Sequence, residues 1–199
     1  IITLFLFSLV KILMVHNRYG ATARGGAERV VERLVAELER RGHVVVVVCP
    51  STPGFASLGR MPALLRACWH VLDMVNVRAA AVLRRAIAAH RPDIIHTHNL
   101  VGCGGLAPRV IRRSGIPWVH TLHDAQLITP SGILTKISPP HQGRGSERGW
   151  GDLAPTTATE RSFVGRWFRA WRTWMFASPA MVIAPSRWLL DLHRSLGFF

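Results

Sequence analysis

The feature that most constrains the fold of this 199-residue chain is a glycine turn between an apolar run and an amphipathic stretch. Residues 11–16 are typical of a central parallel strand, because the run is apolar on both faces and ends in polar residues. Gly25 and Gly26 form the turn. Apolar residues then recur at helical spacing: Ala27, Val30, Val31, Leu34, Val35 and Leu38. Gly42 is expected to end this helix, and the valines at 44–48 predict a second strand, which completes a βαβ unit.

The same turn predicts a ligand site, because backbone N–H groups at a helix N-terminus can bind an anion. The structural alternative is that both glycines serve only a tight turn or close helix packing. Gly20, Gly25 and Gly26 do not have the G-x-G-x-x-G spacing of a dinucleotide fingerprint, and residues 48–51 supply no acid for a ribose hydroxyl. The sequence also contains no P-loop motif. A nucleotide-binding domain of the epimerase or dehydrogenase type stays open as an alternative.

Strand-like and helix-like segments continue to alternate along the chain. After the second strand, helices are predicted near 61–74, 77–90, 106–114, 160–176 and 188–196, and strands at 93–98, 117–124 and 181–184. Repeated βα units predict an α/β fold with a doubly wound, Rossmann-like parallel sheet that has helices on both faces. We expect one domain over residues 11–199, with a mobile surface loop near 139–159, where Gly, Pro, Ser and Thr are dense. Residues 1–10 are interpreted as an apolar extension outside the fold, with a short membrane anchor as the minor alternative.

The charge balance narrows the classes of partner. The chain has 25 basic and 11 acidic residues and a net charge of +14, which favours anionic partners. Nucleic acid is not expected, because the arginines are scattered over several helices and no reader motif is present. A phosphorylated substrate or an anionic membrane surface fits the charge at least as well. The three cysteines are widely spaced, which argues against disulfides and structural zinc and indicates a reducing, cytoplasmic compartment.

Polar residues are concentrated where the predicted strands end. They are His16 and Asn17, then His96, His98 and Asn99, then His123 and Asp124, and finally Ser186. In doubly wound sheets ligands bind beyond the carboxyl ends of the strands, so these residues are candidates for one site. The pair His96 and His98 has no third ligand at a defined spacing, and no metal site is predicted. Cys103 is not favoured as a nucleophile, because no neighbour in sequence would lower its pKa.

Several of these segments, in this order, carry a resemblance to a known family. They are Gly25–Glu28, Arg41–Val44, Arg91–Asn99, Thr121–Asp124 and Ala184–Leu189. Over residues 11–199 the chain resembles the N-terminal domain of family-4 glycosyltransferases, which are retaining, nucleotide-sugar-dependent enzymes of the two-domain GT-B architecture. The resemblance implies a nucleotide-sugar as co-substrate, with no cofactor and no metal.

The resemblance also assigns expected roles to individual residues. His123 and Asp124 would lie close to the transferred sugar as the catalytic pair, and Gly25, Gly26 and Glu28 would lie near the donor phosphates. The acceptor side would be lined by His16, Asn17, His98, Asn99, Ser186 and Arg187. The acceptor itself is expected to be lipid-linked, a glycan or a small molecule, in the synthesis of cell-envelope polysaccharide.

The sequence departs from the family in lacking the donor-binding half with its E-x7-E carboxylate pair. We therefore expect this polypeptide alone to be an inactive fragment; a non-catalytic binding module and a truncated or split gene product stay open. The stretch 160–176 combines tryptophans and arginines and has two interpretations. It is either a sheet-covering helix or an interfacial helix that would place the protein peripherally at the inner face of an anionic membrane.

Overall fold

A computed structural model of the chain describes residues 9–22, 25–128, 163–176 and 179–199. Its strands are β1 (Lys11–Val15), β2 (Val44–Val48), β3 (Ile94–Thr97), β4 (Trp118–Thr121) and β5 (Met181–Ile183). Its helices are α1 (Gly26–Arg40), α2 (Ala63–Met74), α3 (Val77–His90), α4 (Ala107–Ser114), α5 (Phe163–Met175) and α6 (Arg187–Ser195). Gly20–Thr22 and Phe55–Arg60 form short 3-10 turns.

The five strands form one sheet in the order β2-β1-β3-β4-β5. The pairs β1–β2, β1–β3 and β3–β4 are parallel, and Met14 is in register with both Val47 and His96. Leu13, Met14 and Val15 are completely buried, as a strand flanked on both sides requires. β2 lies at the edge of the sheet and is only partly buried. The α/β class and the doubly wound parallel sheet are therefore confirmed.

The direction of travel through the sheet reverses at β1. From β1 the chain crosses to β2 on one side, and the later strands β3 and β4 are added on the other side. Parallel connections are right-handed, so α1 covers one face of the sheet while α3 and α4 cover the opposite face. α3 and α4 are in direct contact, as this arrangement requires.

The element boundaries differ from the sequence predictions in ways that have local causes. The helix predicted from residue 61 begins at Ala63, because Pro62 takes the N-cap position behind a 3-10 turn. Gly42 follows the end of α1 with φ +87°, which confirms the predicted helix stop. Val30 belongs to the predicted apolar stripe of α1 but is 49% exposed. β4 ends at Thr121, so His123 lies beyond the strand and not within it.

The chain divides into two compact units. The first comprises residues 1–121 with 179–181, and the second comprises residues 122–178 with 182–199. None of the helices in the described ranges has the length and apolar character that crossing a bilayer requires. Most of the predicted extension, residues 1–8, and the whole predicted loop at 139–159 lie outside the described residues.

Candidate functional site

The first unit contains the point at which the strand order reverses. β1 and β3 are neighbours there, although the connections leaving them run to opposite sides of the sheet. Such a reversal opens a crevice beyond the carboxyl ends of the two strands, where doubly wound proteins bind ligands. His16 and Asn17 follow β1, and His98 and Asn99 follow β3. The structure therefore places four of the predicted acceptor-side residues at the carboxyl ends of two neighbouring parallel strands.

Three histidines form a stack at this position. Met14 pairs with His96 in the sheet, and side chains two residues apart share a face, so His16 and His98 project beside them. The rings of His16 and His98 are 5.8 Å apart, and those of His98 and His96 are 4.4 Å apart, with interplanar angles of 29° and 30°. His16 is 0% exposed and His98 is 1% exposed. These two side chains therefore form a buried layer, here called the histidine floor, at the carboxyl ends of β1 and β3.

Hydrogen bonds hold each ring of the stack. The backbone N–H of Asn17 donates to His16 Nδ1 at 2.7 Å, so neutral His16 carries its proton on Nε2. His98 Nε2 lies 2.9 Å from Met14 Sδ; a thioether has no proton to give, so this is a hydrogen bond when His98 is protonated on Nε2. His96 Nε2 and the hydroxyl of Thr121 are 2.7 Å apart. The floor is thus a rigid polar layer.

Asn17, next to the histidine floor, has a hydrogen-bond acceptor that lacks a partner within the described ranges. The side chain is 9% exposed, and its Nδ2 donates to the carbonyl of Val101 at 3.2 Å. That bond fixes the orientation of the amide. Its Oδ1 is buried and has no hydrogen-bond partner among the residues that the structure describes. A buried polar atom without a partner is costly, so Asn17 Oδ1 is suited to accept a hydrogen bond from a bound hydroxyl or amide.

The loop that follows β3 is held by a carboxylate that sequence reasoning missed. Asp73, on α2, is 6% exposed, and its Oδ1 accepts from the Thr52 hydroxyl at 2.5 Å and from Gly104 N–H at 3.1 Å. Its Oδ2 accepts from Gly102 N–H at 3.1 Å. One sequence feature could have identified Asp73: it is the one acid between residues 40 and 92, and it lies on a helix rich in leucine. It orders the backbone that contains the Asn17 partner Val101.

Glycine is required in this loop for two reasons. Gly102 has φ +88°, a conformation that disfavours other residues, and a Cβ built there would lie 2.8 Å from the Phe55 ring. A Cβ on Gly105 would lie 2.8 Å from the Cα of Met74. Phe55 in turn stacks on Trp69 at 5.9 Å and lies 4.7 Å from the Arg18 guanidinium. The loop is therefore packed closely against its neighbours.

The glycine turn before α1 has its own carboxylate. Gly25 is the N-cap, and a Cβ built on it would lie 2.6 Å from Glu28 Oε2, so the Glu28 side chain folds back over the start of the helix. Gly26 is exposed, with open space where a Cβ would stand. A negative charge near a helix N-terminus is favourable, and here Glu28 supplies it. Donor phosphates at this turn would have to displace that carboxylate.

The other predicted site residues belong to the second unit. His123 and Asp124 are half-buried, and Asp124 Oδ1 accepts from the backbone N–H of Gln126 at 2.8 Å, which stabilises a local turn. Ser186 is the N-cap of α6, where its hydroxyl accepts from the backbone N–H of Leu189 at 3.2 Å. Arg187 is exposed at the first residue of that helix. Ser186 thus has a structural function, and the ligand-binding roles of these residues stay predictions.

Nucleophilic attack by a cysteine and metal binding find little support in the part of the chain that the structure describes. Cys103 is buried, and burial raises the pKa of its thiol well above 9.0, with Cys49 and Asp73 adding to the shift. It is therefore protonated at neutral pH and unsuited to nucleophilic attack. Within the described ranges no three side chains of His, Cys, Asp or Glu are placed to hold a metal ion.

Comparison with known proteins identifies the family. The model of glycosyltransferase family 4 matches residues 24–198. The chain belongs to glycosyltransferase family 4. It is 24% identical over 213 residues to a 42.6 kDa protein in the cps region of Klebsiella pneumoniae, an alignment that covers 96% of this chain and 52% of that protein. The family-4 chain thus spans about half the length of the curated relative that it matches.

A solved structure is also similar. The crystal structure of TcCGT1 in complex with UDP aligns with 92% of the family-4 chain and 46% of its own, at 10% identity and a TM-score of 0.42.

Proposed function

We propose that this chain forms the acceptor-side half of a GT-B glycosyltransferase that transfers a sugar from a nucleotide-sugar to a glycan, lipid-linked or small-molecule acceptor, with retention of configuration. The family match supports the reaction class. The observation that carries the acceptor-side assignment is the buried Oδ1 of Asn17, beside the histidine floor, which has no hydrogen-bond partner among the described residues. Sugar hydroxyls are strong donors, and such an atom would select a ligand that donates to it.

The arrangement supports binding and orientation of the acceptor. The stacked rings of His16 and His98 are packed and hydrogen-bonded, so Asn17 is presented from a rigid base and little ordering entropy is lost on binding. The loop held by Asp73 fixes the carbonyl of Val101 and, through it, the amide of Asn17. We propose that His123 and Asp124 act near the transferred sugar, as the family resemblance implies.

Glu28 modifies the proposal for the glycine turn. Its carboxylate already lies at the start of α1, so we propose that the turn contacts hydroxyl groups of the donor sugar through Glu28 and exposed Gly26, with phosphate contacts supplied elsewhere. A carboxylate accepts hydrogen bonds from sugar hydroxyls but repels a diphosphate. No metal or cofactor is included in the proposal.

Acceptor binding can be tested at Asn17. In a form of the protein that transfers sugar, Asn17→Leu keeps the size of the side chain and removes the acceptor atom. We expect the KM for the acceptor to rise about fivefold or more, because a lost hydrogen bond to a buried group costs about 1–3 kcal/mol. The comparison variant is Asn99→Leu, at the half-exposed asparagine that follows His98, and its effect on the KM should be smaller. An unchanged KM in Asn17→Leu, with unfolding temperature preserved, would remove Asn17 from the acceptor site.

We further propose that transfer requires sequence beyond this span, since the chain covers 52% of its relative. Incubation with UDP-glucose, UDP-N-acetylglucosamine or GDP-mannose should then release no nucleoside diphosphate above the hydrolysis background. Release by residues 1–199 alone would contradict this. The coding sequence after Phe199 provides a second check: an in-frame continuation with paired glutamates favours the enzyme, and a stop codon favours a binding module.

The cps-region relative supports a role in polysaccharide synthesis, and we propose a cytoplasmic site of action. The net charge of +14 supports an anionic membrane surface as a further partner. One of the two interpretations of residues 160–176 places α5 on such a surface. In the structure, Trp167 and Trp174 of that helix are each 53% exposed, whereas Met175 is buried. α5 thus has both exposed and buried apolar side chains, which fits neither interpretation completely.

A further inference from the structure

α2 has its apolar side turned outward. Five large apolar residues of α2 and its C-cap are exposed: Leu64 by 75%, Leu65 by 58%, Val71 by 55%, Leu72 by 62% and Val75 by 55%. Cys68 is exposed among them. At 100° per residue these positions fall within an arc of about 120°. A helix on the surface of a globular protein ordinarily directs such an arc to the core, whereas the apolar arc of α2 faces solvent.

The orientation of α2 is fixed by the buried side of the same helix. Trp69 is 5% exposed and donates from Nε1 to the carbonyl of Pro53 at 2.7 Å. Asp73 is 6% exposed and accepts the hydrogen bonds from Thr52, Gly102 and Gly104 described above. Rotating α2 to bury its leucines would break all of these bonds. The exposed apolar arc is therefore a stable property of the folded unit.

The surroundings of the arc are cationic. Between residues 54 and 92 the sequence contains one acid, Asp73, which is buried, and six arginines. Arg60, Arg66 and Arg78 are exposed on and beside α2. Leucines on one side of a helix with arginines around them are the composition of helices that lie in a bilayer interface. A second copy of this chain is a poor occupant, because two chains of charge +14 repel each other.

We propose that α2 is the element by which this protein docks on an anionic lipid bilayer, with Leu64, Leu65 and Leu72 entering the boundary between headgroups and acyl chains. The inference rests on the membrane partner proposed above and assigns it to α2 in place of α5. α5 is the weaker candidate, because Met175 at its end is 1% exposed and Arg172 donates to the Gln126 carbonyl. The arginines near α2 contact lipid phosphates, and each contributes an attraction that salt screens.

Co-sedimentation with vesicles tests the proposal. The chain is mixed with vesicles of phosphatidylglycerol and phosphatidylcholine, or of phosphatidylcholine alone, at about 0.1 M and about 1 M NaCl. The test variant is Leu64→Gln with Leu72→Gln, and the matched control is Trp167→Gln with Trp174→Gln on α5. All four side chains are more than half exposed, so both variants should fold, which circular dichroism verifies. We expect binding to the anionic vesicles only, a loss of at least about tenfold in the α2 variant, and a change below about twofold in the control.

Cys68 gives an independent readout, because it lies inside the apolar arc and its thiol is exposed. With Cys49 replaced by serine, an environment-sensitive fluorophore on Cys68 should shift to the blue when anionic vesicles are added; Cys103 is buried. An unshifted probe, or binding that the α5 variant loses and the α2 variant keeps, would overturn the assignment to α2. If the unsubstituted chain does not bind vesicles, the membrane partner is overturned as well. The same conclusion follows if the chain self-associates through this surface, so that the α2 variant abolishes the self-association. None of these outcomes alters the Asn17 test, so the glycosyltransferase proposal is judged separately.

Discussion

Replacing Asp73 with asparagine should release the loop that follows β3. The carboxylate accepts three hydrogen bonds, from the Thr52 hydroxyl and from the N–H groups of Gly102 and Gly104. The side-chain oxygen of an asparagine can keep the two bonds at the Oδ1 position, from Thr52 and Gly104. Its NH2 group then faces the Gly102 N–H, and no hydrogen bond forms because both groups are donors. One buried N–H loses its partner at a cost of about 1–3 kcal/mol, and the two retained bonds lose their charge assistance. A neutral amide is easier to bury, which offsets part of this, and we expect a net loss of about 2 kcal/mol.

Urea denaturation followed by tryptophan fluorescence gives the free energy of unfolding. Hydrogen exchange shows where the loss occurs, and protection at Gly102 and Gly104 should fall by about tenfold or more. The control is Asp93→Asn, whose exposed carboxylate accepts from the backbone N–H of Lys11 at 2.7 Å; its cost should stay below about 1 kcal/mol. If Asp73→Asn is as stable as Asp93→Asn and the two glycine amides keep their protection, the carboxylate does not hold the loop.

Three further predictions test other parts of the structure. Gly102→Ala should cost about 1 kcal/mol more than Gly42→Ala in urea denaturation, because both have φ near +88° but only the former would place a Cβ 2.8 Å from Phe55; equal losses would contradict the close packing. Burial lowers the pKa of His193 from 6.5, so the unfolded chain binds a proton that the folded chain does not, and stability should fall as the pH drops below about 6.5. His193→Leu should flatten that decline in thermal denaturation at pH 5 to 8, and an unchanged slope would show that another group causes it. Ser186→Ala should cost about 0.5–2 kcal/mol through the lost helix cap, with thermal unfolding as the assay and no loss as the contrary result.

Much of the architecture could be predicted from local patterns. The apolar runs at β1 and β3, the helical stripe after Gly26 and the stop at Gly42 each depend on residues close in sequence. Because parallel strands place their carboxyl ends at one edge of a sheet, the strand pattern alone assigns His16, Asn17, His98 and Asn99 to a common region. Boundaries were less accurate, because 3-10 turns and strand ends depend on tertiary hydrogen bonds.

Contacts between distant residues could not be predicted in this way. Asp73 reaches Gly102 over 29 positions, and Asn17 reaches Val101 over 84. The direction of the α2 leucines was likewise decided by tertiary structure. Periodicity shows that an apolar arc exists, but which side of a helix faces the core depends on the summed contacts of both sides. In α2 the side that contains Trp69 and Asp73 is buried and hydrogen-bonded to distant residues, so the sequence by itself determined the helix and the fold determined what it exposes.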